Sequence, residues 1–226
     1  MSSSLTRGCC FHNVDLMPGV RTRGSYQEAA RQLLRTSVLD AVRSLLDEKE
    51  WSDITMAEVA RAAGVSRQTL YNEFDSRQGV AQQYILRLVD QFLDEVKDAV
   101  AAHPDDARGT IMSAFERFIS IATSDPAVRW ALLGRAKSEL LSLITTDGWP
   151  VLEKAVNSLA EVFEGSWVQL SPRDARIAAN HVGRIALSFI AIPARSPDTI
   201  IDDFTDFVVP FFERAYEDSL ARRPAS

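Results

Sequence analysis

The chain has 226 residues, 46% of them hydrophobic and 25% charged, with a net charge of −6 at neutral pH. This length allows a substantial core in one or two domains, and the acidic balance argues against a protein that coats nucleic acid without sequence preference. No run of about 20 apolar residues occurs, so the sequence predicts no membrane-spanning helix and favours a cytoplasmic protein without a membrane partner.

The charge is not spread evenly along the chain. Residues 1–80 contain ten Lys or Arg and ten Asp or Glu, so this part is neutral and the surplus acid lies in the remainder. Local cations on a neutral N-terminal part are compatible with specific DNA binding, which the overall charge alone would not suggest.

The first residues predict a flexible arm over 1–24, and Met17 offers an alternative start of translation. Arg21 and Arg23 lie just ahead of the first predicted helix, and a basic arm of this kind can enter a DNA minor groove. The alternative is a solvated, mobile tail, the usual state of a chain end.

The two cysteines, Cys9 and Cys10, are adjacent, which disfavours an intrachain disulfide and fits a reducing compartment. Together with His12 they could suggest a metal or redox site, but no further ligands lie nearby in the sequence. We therefore expect no metal site and no cofactor.

The most informative stretch is Thr55–Phe74, which the pattern predicts to be two short helices joined by a tight turn. Thr55 and Glu58 are spaced as a capping box, which satisfies the free N–H groups at the start of a helix. Gly64 supplies the left-handed backbone that ends this helix, and Ser66 caps the next one. The helices are expected to cross closely over small or buried residues, namely Val59, Ala60, Ala63 and Val65. A helix–turn–helix of this size places its second helix in the DNA major groove.

The second helix of this pair has an inner apolar face and an outer polar face. At about 100° per residue, Leu70 and Phe74 point inward. The outer side is predicted to present the residues Arg67, Gln68, Thr69, Tyr71 and Asn72. Gln and Asn can pair with adenine edges, Arg with guanine, and a Thr methyl group with thymine. The alternative is an ordinary solvated helix face, but the cap and glycine turn before it favour DNA binding.

The hydrophobic pattern is helical throughout, with no alternating strands, so the sequence predicts an all-α fold. The first helix is predicted from Tyr26 to Lys49, with a buried stripe of Leu34, Val38, Ala41 and Leu45.

We place a three-helix, helix-turn-helix DNA-binding domain at 25–80 and a larger helical domain for linkage, ligand binding and dimerisation at 81–226. Within the larger domain, Gly148 and Pro150 are predicted to break the chain ahead of a helix over Val151–Val168. The last helix is predicted to begin at Pro197.

The stretch from Leu33 to Ala81 resembles the N-terminal domain of TetR-family transcriptional regulators in the order and spacing of many positions. The matching positions are Leu45, Leu46, Trp51, Ile54, Thr55, Met56, Val59, Ala60, Ala63, Gly64, Val65, Ser66, Thr69, Leu70, Tyr71, Phe74, Ser76 and Arg77. The resemblance covers a minor part of the chain. It implies an all-helical homodimer whose C-terminal domain often binds a small inducer.

Transferred position by position, the resemblance implies contacts with the DNA backbone and with base edges. Backbone contacts are implied for Thr55, Tyr71 and Arg77, and base contacts for Arg67, Gln68, Thr69 and Asn72. Glu73 departs from the family, where His or Tyr is common. It is not expected to bind DNA, because a carboxylate cannot donate to phosphate.

The opening MPGVRTRGSYQEAARQLLRTSVLDAVRSLLDE and the segment after it are similar to actinobacterial TetR-like regulators of alkane-hydroxylase operons. This similarity implies a repressor of alkane-oxidation genes that a long-chain fatty acid or related acyl product releases from its palindromic operator.

The last two helices carry wide apolar faces, one around Val182 and Phe189 and one around Phe204 and Phe211. In the family such helices pair with those of a second chain as a four-helix bundle, so a homodimer is expected. The alternative is that both faces pack within one subunit.

A ligand pocket is expected between helices of the C-terminal part, where such cavities are common. Its predicted apolar lining consists of Phe115, Trp130, Trp149, Phe163, Trp167 and Phe189. A polar end that meets a carboxylate could come from Arg129, His181 or Arg184. The alternative is that the aromatic residues are ordinary core and the polar ones lie at the surface.

Two other classes of function remain open from the residues alone. A helical enzyme would need a nucleophile with a base or a ligand cluster, but the three histidines lie far apart without metal-binding spacing. We therefore predict no catalytic residues. A helical adaptor that binds only proteins is the second alternative, and a salt-dependent shift of a promoter fragment would distinguish it from a DNA-binding regulator.

Overall fold

The computed structural model describes residues 23–132, 139–143, 146–192 and 199–221, which form ten α-helices and one short 3-10 turn, with no strand in these ranges. The predicted all-α class is therefore confirmed. None of the described helices has both the length and the apolar character that crossing a membrane requires. The helices are α1 Arg23–Glu48, α2 Met56–Ala62, α3 Arg67–Phe74, α4 Arg77–Ala102, α5 Ala107–Ser124, α6 Pro126–Leu132, α7 Glu139–Ser142, α8 Trp149–Gly165, α9 Pro172–Ala191 and α10 Ile200–Ala221.

The chain divides into two compact units, residues 1–36 and 37–226. In the first unit the structure describes the N-terminal part of α1, in which Tyr26 and Leu33 are exposed. The helix begins at Arg23, three residues earlier than the predicted start. The predicted arm residue Arg21 and the side chain of Arg23 lie outside the described residues, as do Cys9, Cys10, His12 and Met17.

The buried stripe of α1 differs from the predicted one. Val38, Val42 and Leu46 are fully buried and follow one another at four-residue intervals, whereas Leu34 and Leu45 are only half-buried. A four-residue interval advances slightly more than one turn, so successive residues stay on one helix face. The prediction included the two leucines because their spacing satisfies the same helical period at the edge of that face.

The second unit begins with a small core around the helix pair α2 and α3. Trp51, Ile54, Val59 and Leu70 are almost completely buried there. Val65, which was expected to be buried between the two helices, is only half-buried, because the turn that contains it lies at the surface of this core. Full burial of the other side chains fixes α3 in place. Truncation of a large apolar side chain in such a core lowers the free energy of unfolding by several kcal/mol.

The larger core lies among α4, α5, α8, α9 and α10. The start of α8 corrects the prediction, because the helix begins at Trp149 and contains Pro150 in its first turn. A proline is tolerated there, since its missing N–H would have no partner within the helix. The same geometry begins α9, where Ser171 caps the helix ahead of Pro172. The last helix begins at Ile200, and 193–198 lie outside the described residues.

Candidate nucleic-acid interface and ligand cavity

The predicted caps position the two short helices. Thr55 Oγ1 accepts from the Glu58 N–H at 3.3 Å, and Glu58 Oε2 accepts from the Thr55 N–H at 2.9 Å, which completes the capping box. Gly64 has a φ of 69°, in the left-handed region that favours glycine. Ser66 Oγ then accepts from the Thr69 N–H at 3.0 Å. The predicted start signals of α2 and α3 are therefore confirmed.

The capping box is extended by a cation that directly follows α1. Lys49 Nζ lies 2.6 Å from Glu58 Oε1. This hydrogen bond, followed by those from the Thr55 backbone and hydroxyl, lowers the pKa of Glu58 from 4.5 to about 2. A carboxylate at the N-terminus of a helix also meets its positive dipole end. Glu58 therefore holds the first helix of the pair against the segment after α1 as an anion.

We expect the contribution of Glu58 to stability to disappear in acid. Because its folded-state pKa is lowered, that contribution is fully present above 4.5 and is lost as the pH falls towards about 2. The unfolding midpoint in urea should therefore be lower for Glu58→Gln than for wild type at neutral pH, and the difference should shrink below 4.5. Glu116→Gln, at an exposed position of α5, provides the control. A difference that stayed constant down to the acid limit would contradict the assignment.

The outer face of α3 presents an ordered amide pair. Gln68 and Asn72 are exposed and one turn apart, and Gln68 Nε2 donates to Asn72 Oδ1 at 2.8 Å. This bond leaves Gln68 Oε1 as an acceptor and Asn72 Nδ2 as a donor on the outside. One acceptor beside one donor matches the N6 amino group and N7 of an adenine edge.

The neighbours of this pair complete the surface. Arg67 is exposed at the first position of α3, and Tyr71 is 39% exposed. The Thr69 hydroxyl lies 2.8 Å from Ser66 Oγ, so the hydroxyl is used locally and the methyl group is what Thr69 offers to a base. All five predicted outer residues of α3 therefore lie on one exposed side of the small core.

Two predicted phosphate contacts are already engaged within the protein. Arg77 Nη2 donates to the Trp51 carbonyl oxygen, and its guanidinium lies 4.8 Å from the centre of the Trp51 ring. The Thr55 hydroxyl donates to Glu58 Oε2 at 2.7 Å. Both side chains thus stabilise the small core around α2 and α3 in this conformation. Their contacts with the DNA backbone remain a prediction.

A buried carboxylate joins this core to the larger helical part. Asp125, between α5 and α6, is 1% exposed. Its Oδ2 accepts from Arg43 Nη1 of α1 at 2.9 Å and from the Tyr84 hydroxyl of α4 at 2.8 Å, and its Oδ1 accepts from the Ala127 N–H at 2.9 Å. Burial, followed by the negative charge of Asp125, raises the pKa of Tyr84, so Tyr84 remains a hydrogen-bond donor. We call Arg43, Tyr84 and Asp125 the junction triad.

Helix α6 adds two further contacts to the end of α1. Trp130 Nε1 donates to the Leu46 carbonyl oxygen at 2.7 Å, and Arg129 Nη2 lies 2.9 Å from Asp47 Oδ1. Both side chains therefore bind the end of α1, which differs from their predicted role in the ligand pocket. Together with the junction triad, they make α6 the connector between α1 and the cavity-bearing helices.

Two apolar cavities lie among the helices of the larger core, with volumes of about 60 Å³ and 70 Å³. Both are smaller than a typical small-molecule site, so a larger ligand would have to move the surrounding helices apart. The first, which we call the distal cavity, includes the predicted residues Phe115, Phe163 and Trp167. The second, the proximal cavity, is bordered by Asp125 of the junction triad. The walls of both include Phe92, Leu159 and Ala186.

Known proteins resemble this chain in both its N-terminal and its C-terminal part. A model of bacterial regulatory proteins of the tetR family matches residues 38–84, and a bacterial tetracyclin repressor C-terminal domain model matches 106–210. The chain is 43% identical to the HTH-type transcriptional regulator AlkX of Mycobacterium tuberculosis, over 84% of this chain and 90% of that protein. The chain belongs to the TetR family of transcriptional regulators. The enzyme and adaptor alternatives are thereby set aside, and the family resemblance is confirmed.

Solved structures agree with this membership. The crystal structure of the TetR-family repressor AlkX from Dietzia sp. strain DQ12-45-1b, implicated in biodegradation of n-alkanes, matches with a TM-score of 0.74. The two chains are 36% identical, and the match covers 80% of this chain and 96% of that one. RolR in complex with resorcinol shares the fold, with a TM-score of 0.55 at 15% identity over 88% of this chain and 98% of that one.

Several residues predicted for the ligand pocket of this TetR-family regulator lie elsewhere. Trp149 is 66% exposed and borders an open surface groove with His181. Arg184 is exposed, and its Nε donates to Asn180 Oδ1 at 3.2 Å. Phe189 packs on Phe115 with 5.3 Å between ring centres, but it does not line either cavity. The predicted basic end of the pocket is therefore absent from the cavity walls described by the structure.

The junction triad was not predicted from the sequence. One signal was available, because an aspartate directly before a proline and an apolar turn is typical of a helix start. The partners Arg43 and Tyr84 could not be found this way, since they lie 82 and 41 residues distant in sequence.

Proposed function

We propose that this TetR-family regulator is a repressor that binds a palindromic operator as a dimer and leaves it when a long-chain apolar ligand fills the two cavities. The observation that carries the proposal is the arrangement of one polar, exposed helix face and an apolar cavity whose wall includes Asp125. A ligand that favours a different position of α4 would shift the population away from the DNA-binding form.

The regulated genes are proposed from the relatives. The Dietzia repressor is implicated in n-alkane biodegradation, and the Mycobacterium tuberculosis protein carries the same name, AlkX. We extend this association to genes of alkane or fatty-acid oxidation, with an acyl product or related lipid as the inducer. The nearly wholly apolar cavity lining supports that class of ligand.

The dimer is proposed to form through α9 and α10. Phe207 is 73% exposed and Ile177 is 39% exposed, and both border an apolar surface groove with Ile185 and Phe211. Exposed apolar surface of this kind is typical of an interface. A second copy would cover it and would place two α3 helices at half-sites about one DNA turn apart.

The direct test measures binding of the purified protein to DNA from its own upstream region by fluorescence anisotropy. We expect specific binding that weakens as salt rises, because phosphate contacts release counterions. A scrambled fragment of equal length is the control. Equal affinity for both fragments would contradict the proposal.

The amide pair gives a sharper prediction of base recognition. Gln68→Ala and Asn72→Ala should each cost about 1–3 kcal/mol of discrimination between operator and mismatched operator. Since the two side chains share a hydrogen bond, the double variant should lose less than the sum of the two losses. Titrations of both DNAs with Gln91→Ala, an exposed glutamine on α4, provide the baseline. Equal weakening on operator and random DNA would instead indicate backbone contacts.

A further inference from the structure

The polar groups on the cavity walls restrict the chemistry of the ligand. In the distal cavity the Thr110 hydroxyl donates to the His103 carbonyl oxygen at 3.2 Å, and the Ser166 hydroxyl donates to the Phe163 carbonyl oxygen at 3.3 Å. Both hydroxyl protons are therefore already used. What these hydroxyls retain is a weak ability to accept a hydrogen bond.

Trp167 carries the remaining donor of the distal cavity. Its indole Nε1 is buried and has no hydrogen-bond partner in the part of the chain that the structure describes. The ring borders the cavity and packs edge-on against Tyr216, with 5.3 Å between ring centres. A buried N–H without a partner is unfavourable, so an acceptor oxygen that reached it from the cavity would bind with a gain.

Charge is the second restriction. Among the described residues that line the two cavities, none is Lys, Arg or His. The charged group at their border is the Asp125 carboxylate, at the proximal end. A ligand carboxylate in the distal cavity would thus be buried without a cation. In the opposite orientation of the ligand, the carboxylate would lie near the negative charge of Asp125 in the proximal cavity. Burial of an unpaired ion is far more costly than burial of a hydroxyl or an ester.

We infer that the ligand is an uncharged single-chain lipid with one acceptor oxygen, such as a long-chain alcohol or alkyl ester. Its oxygen accepts from Trp167 Nε1, and its chain extends past Phe92 towards the proximal cavity. Phe92 lines both cavities and packs on Phe118 with 5.0 Å between ring centres, so a chain that occupied both cavities would have to pass this residue. This inference rests on the proposed function and narrows its class of inducer.

The first experiment compares charged and uncharged lipids of equal length on the full-length protein. Hexadecan-1-ol, methyl hexadecanoate and hexadecanoate are supplied from cyclodextrin complexes, and binding is measured by calorimetry. At about pH 8, where a carboxylic acid is ionised, the alcohol and the ester should bind about tenfold or more tightly than hexadecanoate. The gap should narrow as the pH falls, because the protonated acid is uncharged.

The second experiment isolates the indole donor. Trp167→Phe keeps an aromatic ring but removes the N–H, and it should weaken hexadecan-1-ol by about fivefold to tenfold. Binding of hexadecane, which has no oxygen, should remain unchanged in the same variant. Trp149→Phe, at an exposed position outside the cavities, is the matched control. A merely structural role of Trp167 would weaken the alkane and the alcohol equally.

Two results would overturn the inference: hexadecanoate binding at about pH 8 as tightly as the alcohol, or equal losses for alcohol and alkane in Trp167→Phe. Operator binding is measured on the same samples. If the operator is bound but none of the lipids is, the ligand inference fails and DNA-binding regulation stands. If no operator is bound, the proposed function fails, while the lipid affinities still decide the ligand class.

Discussion

Replacing Asp125 with Ala should lower the free energy of unfolding by about 1–3 kcal/mol, the usual cost of leaving a buried hydrogen-bonding group without its partner. The substitution leaves the Tyr84 hydroxyl buried without its acceptor, and it removes the anion that Arg43 meets. Arg43 is 43% exposed and can regain water, but Tyr84 is fully buried and cannot. Most of the loss should therefore come from the tyrosine side of the triad.

Urea unfolding checks this expectation, with Tyr84→Phe and the double variant measured beside it. Tyr84→Phe alone should cost about 0.5–1.5 kcal/mol, because one hydrogen bond is lost without leaving the tyrosine hydroxyl unpaired. The double variant should be less destabilised than the sum of the two single ones. Asp94→Ala breaks an exposed ion pair with Lys97 and should cost less than about 1 kcal/mol. If Asp125→Ala lowered the free energy of unfolding as little as Asp94→Ala does, the junction triad would not be a stabilising buried network.

The triad also bears on regulation, since it connects α1 and α4 to the border of the proximal cavity. If Asp125→Ala remains folded at low temperature, its operator affinity should respond less to hexadecan-1-ol than that of wild type. The physical reason is that coupling requires an element whose arrangement both sites bias, and the triad is a buried polar contact between them. Unchanged release by the lipid would show that coupling runs through contacts other than the triad.

Phe207→Glu should convert the dimer to monomers and weaken operator binding by about a hundredfold or more. A buried carboxylate on each side of a two-fold interface would be desolvated and would face apolar groups. Loss of the second half-site removes the gain from joined binding, which is about 10² to 10⁴ in affinity. Sedimentation velocity measures the oligomeric state, and anisotropy measures the operator affinity.

Trp149→Glu is the matched control for that experiment, since Trp149 is a similarly exposed aromatic residue on α8. It should leave both the dimer and the operator affinity unchanged. Circular dichroism of Phe207→Glu should match that of wild type, because an exposed position tolerates a charge within one subunit. A Phe207→Glu protein that still sediments as a dimer would contradict the interface through α9 and α10.

The local signals of the DNA-reading part could be predicted because they depend on residues close in sequence. The Thr55–Glu58 cap, the Gly64 turn and the Ser66 cap each act within four residues, and all appear in the structure as expected. The outer face of α3 was equally predictable, since helical period alone decides which side chains share a side. Its internal hydrogen bond from Gln68 to Asn72 is also a one-turn contact.

The misplaced residues show where that reasoning ends. Trp130 was predicted to line the pocket because it is an aromatic residue of the C-terminal part. Its indole instead donates to the Leu46 carbonyl oxygen, 84 residues earlier in the chain. Arg77 has the spacing of a phosphate contact but stacks on Trp51. In both cases an aromatic or basic side chain of the expected type found a partner that sequence spacing does not reveal.

By itself, the sequence determined the helical class, the helix-turn-helix and the family, because periodicity and capping are encoded in short stretches of chain. Tertiary structure alone decided the junction triad, the absence of cations from the described cavity walls, and the lack of a hydrogen-bond partner for the Trp167 indole among the described residues. These properties depend on which faces of distant helices meet. Side-chain partners separated by tens of residues are selected by packing and by the free-energy cost of unpaired polar groups. Local spacing in the sequence predicts neither of these.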